Sequence, residues 1–201
     1  DHPDGKVLID TGFEKGWVER KLPFEKPEQS EDQQIVNQLA RIGVKPDEID
    51  IVVNSHLHFD HCSNNKLFPQ ATFIFSTSEL RHSYVPDPWE RLGYDPDLVV
   101  MPGMKTIMLD LGDFEYEVLP GITLVETPGH SAGHLSVIVD PGGDHRPMVF
   151  PIDVAYTEHN LKDRVLMGLH SDPADLLDSM MRIENITKKV GGDIFYSHDP
   201  E

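Results

Sequence analysis

The sequence is poor in cysteine, in positive charge and in long apolar runs. Its single cysteine, Cys62, cannot form a disulfide within the chain, which favours a reducing compartment, and we predict a cytoplasmic protein. Only 17 Lys and Arg stand against 35 Asp and Glu, and the formal charge of -18 argues against nucleic acid as a partner because it repels phosphate backbones. No apolar run approaches the roughly 18 to 20 residues needed to cross a bilayer, and we expect no leader, so we predict a soluble protein without membrane contact.

The order of apolar runs and turn signals predicts one α/β domain over residues 1–201. A strand over 6–12 precedes a long loop at 13–29, a helix that begins at Ser30 with a Ser30–Gln33 capping box, and a strand over 49–53. We interpret the first strand as the second arm of a hairpin and the loop as a candidate lid. The chain opens without Met and stops without a terminal segment, so we expect a fold truncated at both ends.

The second half of the chain turns to β-structure. Short strands are predicted between residues 106 and 152, followed by a helix that Ser171 or Asp172 opens and a last strand over 193–196. The apolar periodicity of this helix predicts five inward-facing side chains: Leu176, Leu177, Met180, Met181 and Ile183.

Polar residues that can bind metal recur just after the predicted strands. They are His56, His58, Asp60 and His61 in HLHFDH, then His130 after Thr127-Pro128-Gly129, then Asp153, then His198. Imidazole nitrogen and carboxylate oxygen suit divalent zinc, iron, cobalt or manganese. On an extended segment His56 and His58 point the same way, whereas Asp60 and His61 lie around the next turn, which suits two ions better than one. Taken alone, His130 and His198 would be ordinary polar residues and Asp153 a turn or capping aspartate.

These motifs resemble the metallo-β-lactamase superfamily and, within it, the N-acyl-homoserine lactonases. The likeness covers nearly the whole chain, and its matching segments are LIDTG at 8–12, SHLHFDH at 55–61, TPGHSAGHLS at 127–136, IDVAYT at 152–157 and SHDPE at 197–201. Tyr156, three residues after Asp153, points to the lactonase branch. The resemblance implies an αβ/βα sandwich of two mixed sheets between helices, with metals at one edge.

The resemblance also implies two divalent ions, zinc in the first place, with iron, cobalt or manganese as alternatives. One ion would be bound by His56, His58 and His130, the other by Asp60, His61 and His198, and Asp153 would bridge both. The chain departs from many relatives at Cys62-Ser63-Asn64-Asn65, where they have small residues and glycines. We predict that Cys62 is a small buried filler and that His134 is a structural histidine.

The reaction implied is the opening of the lactone ring of N-acyl-homoserine lactones or related γ-lactones. A hydroxide bridging the two ions would attack the lactone carbonyl, Tyr156 would stabilise the carbonyl oxygen, and Asp60 would carry a proton to the leaving alkoxide. The alternative for Tyr156 is a buried aromatic whose hydroxyl only caps the loop of the bridging aspartate. Phe59 is predicted to pack into the core, with a contact to the substrate's acyl chain as the second interpretation.

Three other functions stay open at this point. Another hydrolase of the same superfamily would act on thioesters, β-lactams or phosphate esters with the same ions. A di-iron redox module would need a flavin partner domain and a carboxylate in place of a histidine, and the sequence shows neither. A binding protein with structural metal would close its sites with four protein ligands, whereas this set leaves room for water. A homodimer is a further expectation, since some relatives pair.

Overall fold

The structure is a computed structural model that describes residues 2–198. These residues divide into two compact units. The first unit comprises the described residues up to Phe75 together with Ser83–Met108, and the second comprises Ser76–His82 and the described residues from Leu109 onward. The assignment of one domain to residues 1–201 stays a prediction.

The first half of the chain forms a four-stranded sheet. Its strands follow the order β1-β2-β3-β4, and β1, β2 and β3 run parallel to one another. The elements along this half are β1 (Val7–Ile9), α1 (Lys15–Lys21), α2 (Ile35–Arg41), β2 (Ile51–Val53), α3 (Phe59–Cys62), β3 (Thr72–Ser76), α4 (Thr77–Tyr84), α5 (Pro96–Val99) and β4 (Lys105–Leu109). Val52 and Val53 of β2 are fully buried, so the segment that follows β2 starts from the interior of the sheet.

The second half forms a five-stranded sheet covered by a long helix. Its elements are β5 (Glu115–Leu119), β6 (Ile122–Glu126), β7 (Leu135–Val139), β8 (Met148–Phe150), α6 (Glu158–Asp163), α7 (Pro173–Val190) and β9 (Asp193–Ile194). Strands β5 to β8 are antiparallel, and β9 is parallel to β8. A short 3-10 turn, Ile152–Val154, follows β8 and places Asp153 beyond the end of the strand.

The predicted long helix is confirmed as α7, with one correction to its buried face. Asp172 caps it by accepting the backbone N–H groups of Ala174 and Asp175. Leu176, Met180 and Ile183 are fully buried in the core of the second unit. The prediction for Met181 is wrong, since this residue is 45% exposed. It lies one residue past Met180, and one residue rotates the side chain by about 100° away from the buried stripe.

The prediction of a long loop over 13–29 is wrong for Lys15–Lys21, which form α1. Trp17, Val18 and Leu22 form a small buried cluster, and Trp17 Nε1–H donates to Asp95 Oδ2 at 2.9 Å. A helix of seven residues is too short to show a clear apolar period, and the contacts that bury it come from distant parts of the chain. The part of the candidate lid that forms α1 is therefore packed, whereas Pro23–Glu25 form a 3-10 turn without buried residues, and the role of the segment as a lid stays a prediction.

The start of the chain agrees with only some of the remaining predictions. The Ser30–Gln33 capping box is present, but it caps a 3-10 turn, Glu31–Gln33. The predicted helix start at Ser30 is therefore wrong, since α2 begins at Ile35 after an extended Gln34. The Asp4-Gly5 turn is closed by an antiparallel bridge between His2 and Gly5, whereas β1 pairs in parallel with β2. A hairpin partner for β1 stays a prediction. None of the helices within residues 2–198 combines the length and the hydropathy that a transmembrane span requires.

Candidate metal centre

Three histidines of HLHFDH lie together in the first unit, in the segment that follows β2. The ring centroids of His56 and His58 are 4.6 Å apart, and those of His56 and His61 are 4.0 Å apart. In each of these two pairs, a ring nitrogen of one residue lies within 4.8 Å of a ring nitrogen of the other. His56 and His58 are buried. Ring nitrogens at this spacing are typical of histidines that bind metal.

Asp10, at the end of β1, holds His61 in one orientation. Its Oδ2 lies 2.8 Å from His61 Nδ1, and its Oδ1 accepts the backbone N–H of Ser55 at 2.7 Å. A carboxylate at Nδ1 selects the tautomer that carries its lone pair on Nε2, the nitrogen that can bind metal. The sequence placed Asp10 in the motif LIDTG but did not mark it as functional. The only available signal was a carboxylate directly after a strand.

Ser55 extends this hydrogen-bonded group to His56. The Ser55 hydroxyl donates to Asp10 Oδ2 at 2.7 Å and lies 3.0 Å from His56 Nδ1. Because a hydroxyl has one proton and that proton points at the carboxylate, Ser55 accepts from His56 Nδ1–H. The lone pair of His56 is then on Nε2. Asp10 thus fixes the tautomers of two candidate ligands.

His58 is approached closely by the backbone of Gly93. A Cβ atom at Gly93 would lie 2.8 Å from His58 Cδ2 and 3.2 Å from His58 Nε2. The Gly93 carbonyl accepts the N–H of Phe59 at 2.8 Å, and the Tyr94 ring lies 4.6 Å from the His58 ring. Only glycine allows the chain to come this near to the imidazole.

Asp60 and Phe59 occupy different surroundings within α3. The side chain of Asp60 is 42% exposed, and its Oδ2 lies 3.7 Å from His61 Nε2, so these two groups can face one ion. Phe59 stacks on Trp17 with ring centroids 5.1 Å apart and packs against the small cluster of α1. This position agrees with the core-packing interpretation of Phe59, whereas its contact with a substrate stays a prediction.

The tail of the motif, where the chain departs from many relatives, forms a buried network of amides. Asn54 Nδ2 donates to the carbonyl of His61 at 3.3 Å, and Asn65 Nδ2 donates to Asn54 Oδ1 at 2.9 Å. Thr11 Oγ1 donates to Asn65 Oδ1 at 3.0 Å. Cys62 is fully buried with its Sγ 3.5 Å from the Leu57 carbonyl, as expected of a filler. The tail therefore fixes the backbone of α3.

In the second unit, two histidines approach the carboxylate of Asp153. His130 Nε2 lies 3.3 Å from Oδ2, and His198 Nε2 lies 3.7 Å from Oδ1. His130 Nδ1 is 3.1 Å from the carbonyl of Leu169, an acceptor, so Nδ1 carries the proton. The Nε2 lone pair then faces a carboxylate oxygen, and two acceptors at this distance need a second proton or a cation between them. The donor set therefore fits a metal ion.

The turn that carries His130 is clamped by the start of α7. A Cβ atom at Gly129, whose φ is +124°, would lie 2.2 Å from the backbone nitrogen of Leu176. The N–H groups of Ser171 and Asp172 both donate to the Gly129 carbonyl, at 2.8 and 3.0 Å. The glycine of Thr127-Pro128-Gly129-His130 is required by this close approach.

Tyr156 lies beside both of these histidines. Its ring centroid is 6.2 Å from that of His130 and 4.3 Å from that of His198, and the Tyr156 carbonyl accepts the N–H of His198 at 3.2 Å. The side chain of His198 is 48% exposed, so this side of the group is open to solvent. The final motif continues past His198 into 199–201, which lie outside the described residues.

Comparison with known proteins identifies the class of protein. Residues 1–198 match the sequence model of the metallo-beta-lactamase superfamily, and the chain belongs to this superfamily. The chain is 32% identical to an N-acyl homoserine lactonase of Bacillus thuringiensis, with 98% of this chain and 78% of the relative aligned. It is 30% identical to the N-acyl homoserine lactonase AttM of Rhizobium johnstonii, over 99% of this chain and 79% of the relative.

Solved structures give the same result for the fold. An N-acyl homoserine lactone hydrolase with N-hexanoyl-L-homoserine at its catalytic metal centre has a TM-score of 0.84 and 29% identity, over 100% of this chain and 79% of that chain. A quorum-quenching N-acyl homoserine lactone lactonase has a TM-score of 0.81 and 31% identity, over 99% of this chain and 77% of that chain. The resemblance read from the motifs, the fold class with two sheets and flanking helices, and the prediction of a metal-dependent hydrolase are confirmed.

Proposed function

We propose that this protein is a dinuclear-metal lactonase that opens the ring of N-acyl-homoserine lactones or related γ-lactones. The observation that supports this proposal most directly is Tyr156, whose ring lies beside those of His130 and His198, in a chain about 30% identical to N-acyl homoserine lactonases over nearly its whole length. A phenol beside histidines that can bind metal suits an ester carbonyl that must be polarised during hydrolysis.

The proposed ligand sets follow the positions of the family motif. His56, His58 and His130 would hold one ion, Asp60, His61 and His198 would hold the other, and Asp153 would bridge them. Nitrogen and oxygen donors of this kind suit zinc first and also iron, cobalt or manganese. The tautomers of His56, His61 and His130 support the assignment, because each keeps its Nδ1 proton in a hydrogen bond and its lone pair on Nε2.

The chemistry of the ring opening would be divided between ions and side chains. Two bound divalent ions would lower the pKa of a water molecule and so supply hydroxide near neutral pH. The Tyr156 hydroxyl would donate to the lactone carbonyl oxygen as negative charge develops there. Asp60, which is partly exposed beside His61, would carry a proton to the leaving ring oxygen. The product is the ring-opened hydroxy acid.

The role of Tyr156 predicts a specific loss of turnover. Removing one hydrogen-bond donor to a developing oxyanion lowers kcat by about 100- to 1,000-fold. We expect the loss of kcat in Tyr156→Phe to lie in or just below this range, and we expect the variant to keep its metal. Steady-state kinetics with a homoserine lactone measures the effect. An unchanged kcat and KM in the phenylalanine variant would contradict the catalytic role and favour a tyrosine that only packs on the loop.

A substrate panel tests the proposal as a whole. Protein reconstituted with zinc is assayed with N-acyl-homoserine lactones, a simple γ-lactone, a thioester and a β-lactam, beside metal analysis and with His58→Ala as the inactive control. We expect two equivalents of metal and lactone opening. Thioester or β-lactam hydrolysis without lactone opening would assign the chain to another hydrolase activity of the superfamily.

We also propose a cytoplasmic protein that acts on a small molecule and forms a homodimer. The single buried Cys62 supports a reducing compartment. The formal charge of -18 supports an uncharged small substrate over nucleic acid or an anionic membrane. Four large apolar side chains within nine residues of the first unit are exposed, Tyr84, Val85, Trp89 and Leu92, and exposed apolar side chains of this size support an interface. Ultracentrifugation of the protein measures the oligomeric state, and a monomer at all concentrations would contradict the dimer.

A further inference from the structure

His134 is fully buried in the second unit, and both of its ring nitrogens are engaged. Its exposed fraction is 0%. His134 Nε2 accepts the backbone N–H of Asp153 at 3.2 Å, and His134 Nδ1 lies 2.9 Å from Thr127 Oγ1. Since an N–H already points at the Nε2 lone pair, this imidazole is not a metal ligand. It is nevertheless attached to the residue proposed to bridge both ions.

A chain of buried hydrogen bonds fixes the tautomer of His134. The Ser136 hydroxyl donates to the Pro151 carbonyl at 3.2 Å, because a carbonyl can only accept. Thr127 Oγ1, 2.7 Å from Ser136 Oγ, must then donate to Ser136. It therefore accepts from His134 Nδ1–H. The same tautomer follows from the other end, where Asp153 N–H requires an acceptor at Nε2, so the two ends of the chain agree.

The backbone next to Asp153 explains why such a support is needed. Ile152 has φ +54°, a left-handed conformation that is rare for a β-branched residue. This conformation turns the chain sharply after β8 and directs the Asp153 carboxylate to His130 Nε2 and His198 Nε2. It persists only where the surroundings hold it. The acceptor for the Asp153 N–H is supplied by His134.

We propose that His134 is a positioning residue for the metal centre. It fixes the peptide of Asp153 in the strained turn and thereby sets the direction of the carboxylate, so the affinity for metal depends on an imidazole that does not touch the ion. This inference rests on the proposed metal site. A histidine with only a structural role would change the stability of the fold but leave the metal affinity unchanged.

The experiment compares three substitutions at or away from this position. His134→Leu keeps the volume and removes the acceptor, whereas His134→Gln can still accept the Asp153 N–H through its amide oxygen. Ile183→Ala is the stability control, because Ile183 is buried in the core of the same unit and is not a predicted ligand. Zinc affinity is measured by competition with a chromophoric chelator, and the cobalt-substituted proteins give absorption spectra that report ligand geometry.

We expect His134→Leu to bind its weaker ion about 10- to 100-fold less tightly, as is usual when a partner behind a ligand is removed, and to shift its cobalt bands. His134→Gln should recover most of the zinc affinity. Ile183→Ala should unfold at a lower denaturant concentration than the wild type, with unchanged zinc affinity. If His134→Leu does not fold, His134→Asn replaces it, since its shorter amide can reach Thr127 but not the Asp153 N–H, and it should bind more weakly than His134→Gln.

Two results would overturn the inference. One is a folded leucine or asparagine variant that binds both ions as tightly as the wild type with an unchanged cobalt spectrum. The other is an equal loss of affinity in Ile183→Ala, which would show that metal binding follows general stability. A wild-type protein that bound no divalent ion would instead overturn the proposed function itself.

Discussion

The substitution Asp10→Asn isolates the hydrogen bonds that orient His61 and His56. Asp10 has φ +57°, and asparagine is among the few residues that adopt this left-handed conformation readily, so the backbone should be kept. The side chain keeps its size but loses its charge and one acceptor. The carboxylate accepts from Ser55 N–H and Ser55 Oγ–H and lies 2.8 Å from His61 Nδ1. Whichever way the new amide is turned, its NH₂ group faces a donor.

The size of the effect follows from these contacts. A hydrogen bond to a charged group contributes about 1.5 to 3 kcal/mol, and at least one is lost. Groups that hold a ligating histidine change metal affinity by about 10- to 100-fold when they are removed, equivalent to about 1.4 to 2.7 kcal/mol. We therefore expect Asp10→Asn to weaken zinc binding by this factor and to lower the free energy of unfolding of the metal-free protein by about 1 to 3 kcal/mol.

Chelator competition and urea unfolding of the metal-free protein measure the two quantities. Asp50→Asn is the matched control, since its carboxylate also accepts a backbone N–H, that of Lys6 at 2.8 Å, but contacts none of the candidate ligands. It should leave the zinc affinity unchanged. Zinc affinity in Asp10→Asn equal to that of the control would refute the reasoning, because His61 and His56 would then not depend on the carboxylate for their tautomers.

Two further predictions concern a close approach and an ion pair. Gly93→Ala should fold but bind zinc more weakly, because its Cβ would lie 2.8 Å from His58 Cδ2. The control is Gly168→Ala, whose Cβ would meet open space. Equal zinc affinity in the two variants would contradict the prediction. The hydrogen bonds from Arg164 hold the pKa of Glu184 below its ordinary value of 4.5, so the stabilisation is complete above that value and is lost as the pH falls through the lowered pKa. Glu184→Gln should therefore lower the free energy of unfolding by about 0.5 to 1 kcal/mol at neutral pH. The difference in unfolding free energy between the wild type and this variant, measured in urea, should narrow below pH 4.5. A difference independent of pH would count against this ion pair.

The parts of the fold and site that the sequence predicts are those with local signals. The spacing of HLHFDH is a property of six consecutive residues, and the start of α7 is marked by Asp172 and Pro173 within two positions. Helix α1 was missed because Trp17 is held by Asp95, 78 residues further along the chain. The role of Asp10 was missed for the same reason, since His61 is 51 residues away. Contacts of this length leave no period or spacing in the sequence.

Backbone strain is the other property that the sequence hides, and two of the four left-handed non-glycine residues in the described part of the chain contact or adjoin candidate ligands. In a regular strand, successive side chains alternate between the two faces of the sheet. A carboxylate at the end of such a strand would therefore point to one of these two faces. A left-handed residue breaks this alternation. Asp10 follows β1 with φ +57°, and Ile152 follows β8 with φ +54° directly before Asp153.

The left-handed conformation of Ile152 costs about 1 to 3 kcal/mol, and that of Asp10 costs less because aspartate tolerates it. Hydrogen bonds of a carboxylate or a peptide N–H accompany both. At Asp10 these are the bonds to Ser55 and His61, and at Asp153 it is the bond to His134. In both units a left-handed residue directly after a strand, Asp10 after β1 and Ile152 after β8, thus lies at or directly before a hydrogen-bonded aspartate. The strain fixes the direction of a carboxylate before any ion binds, which lowers the reorganisation that binding would otherwise require.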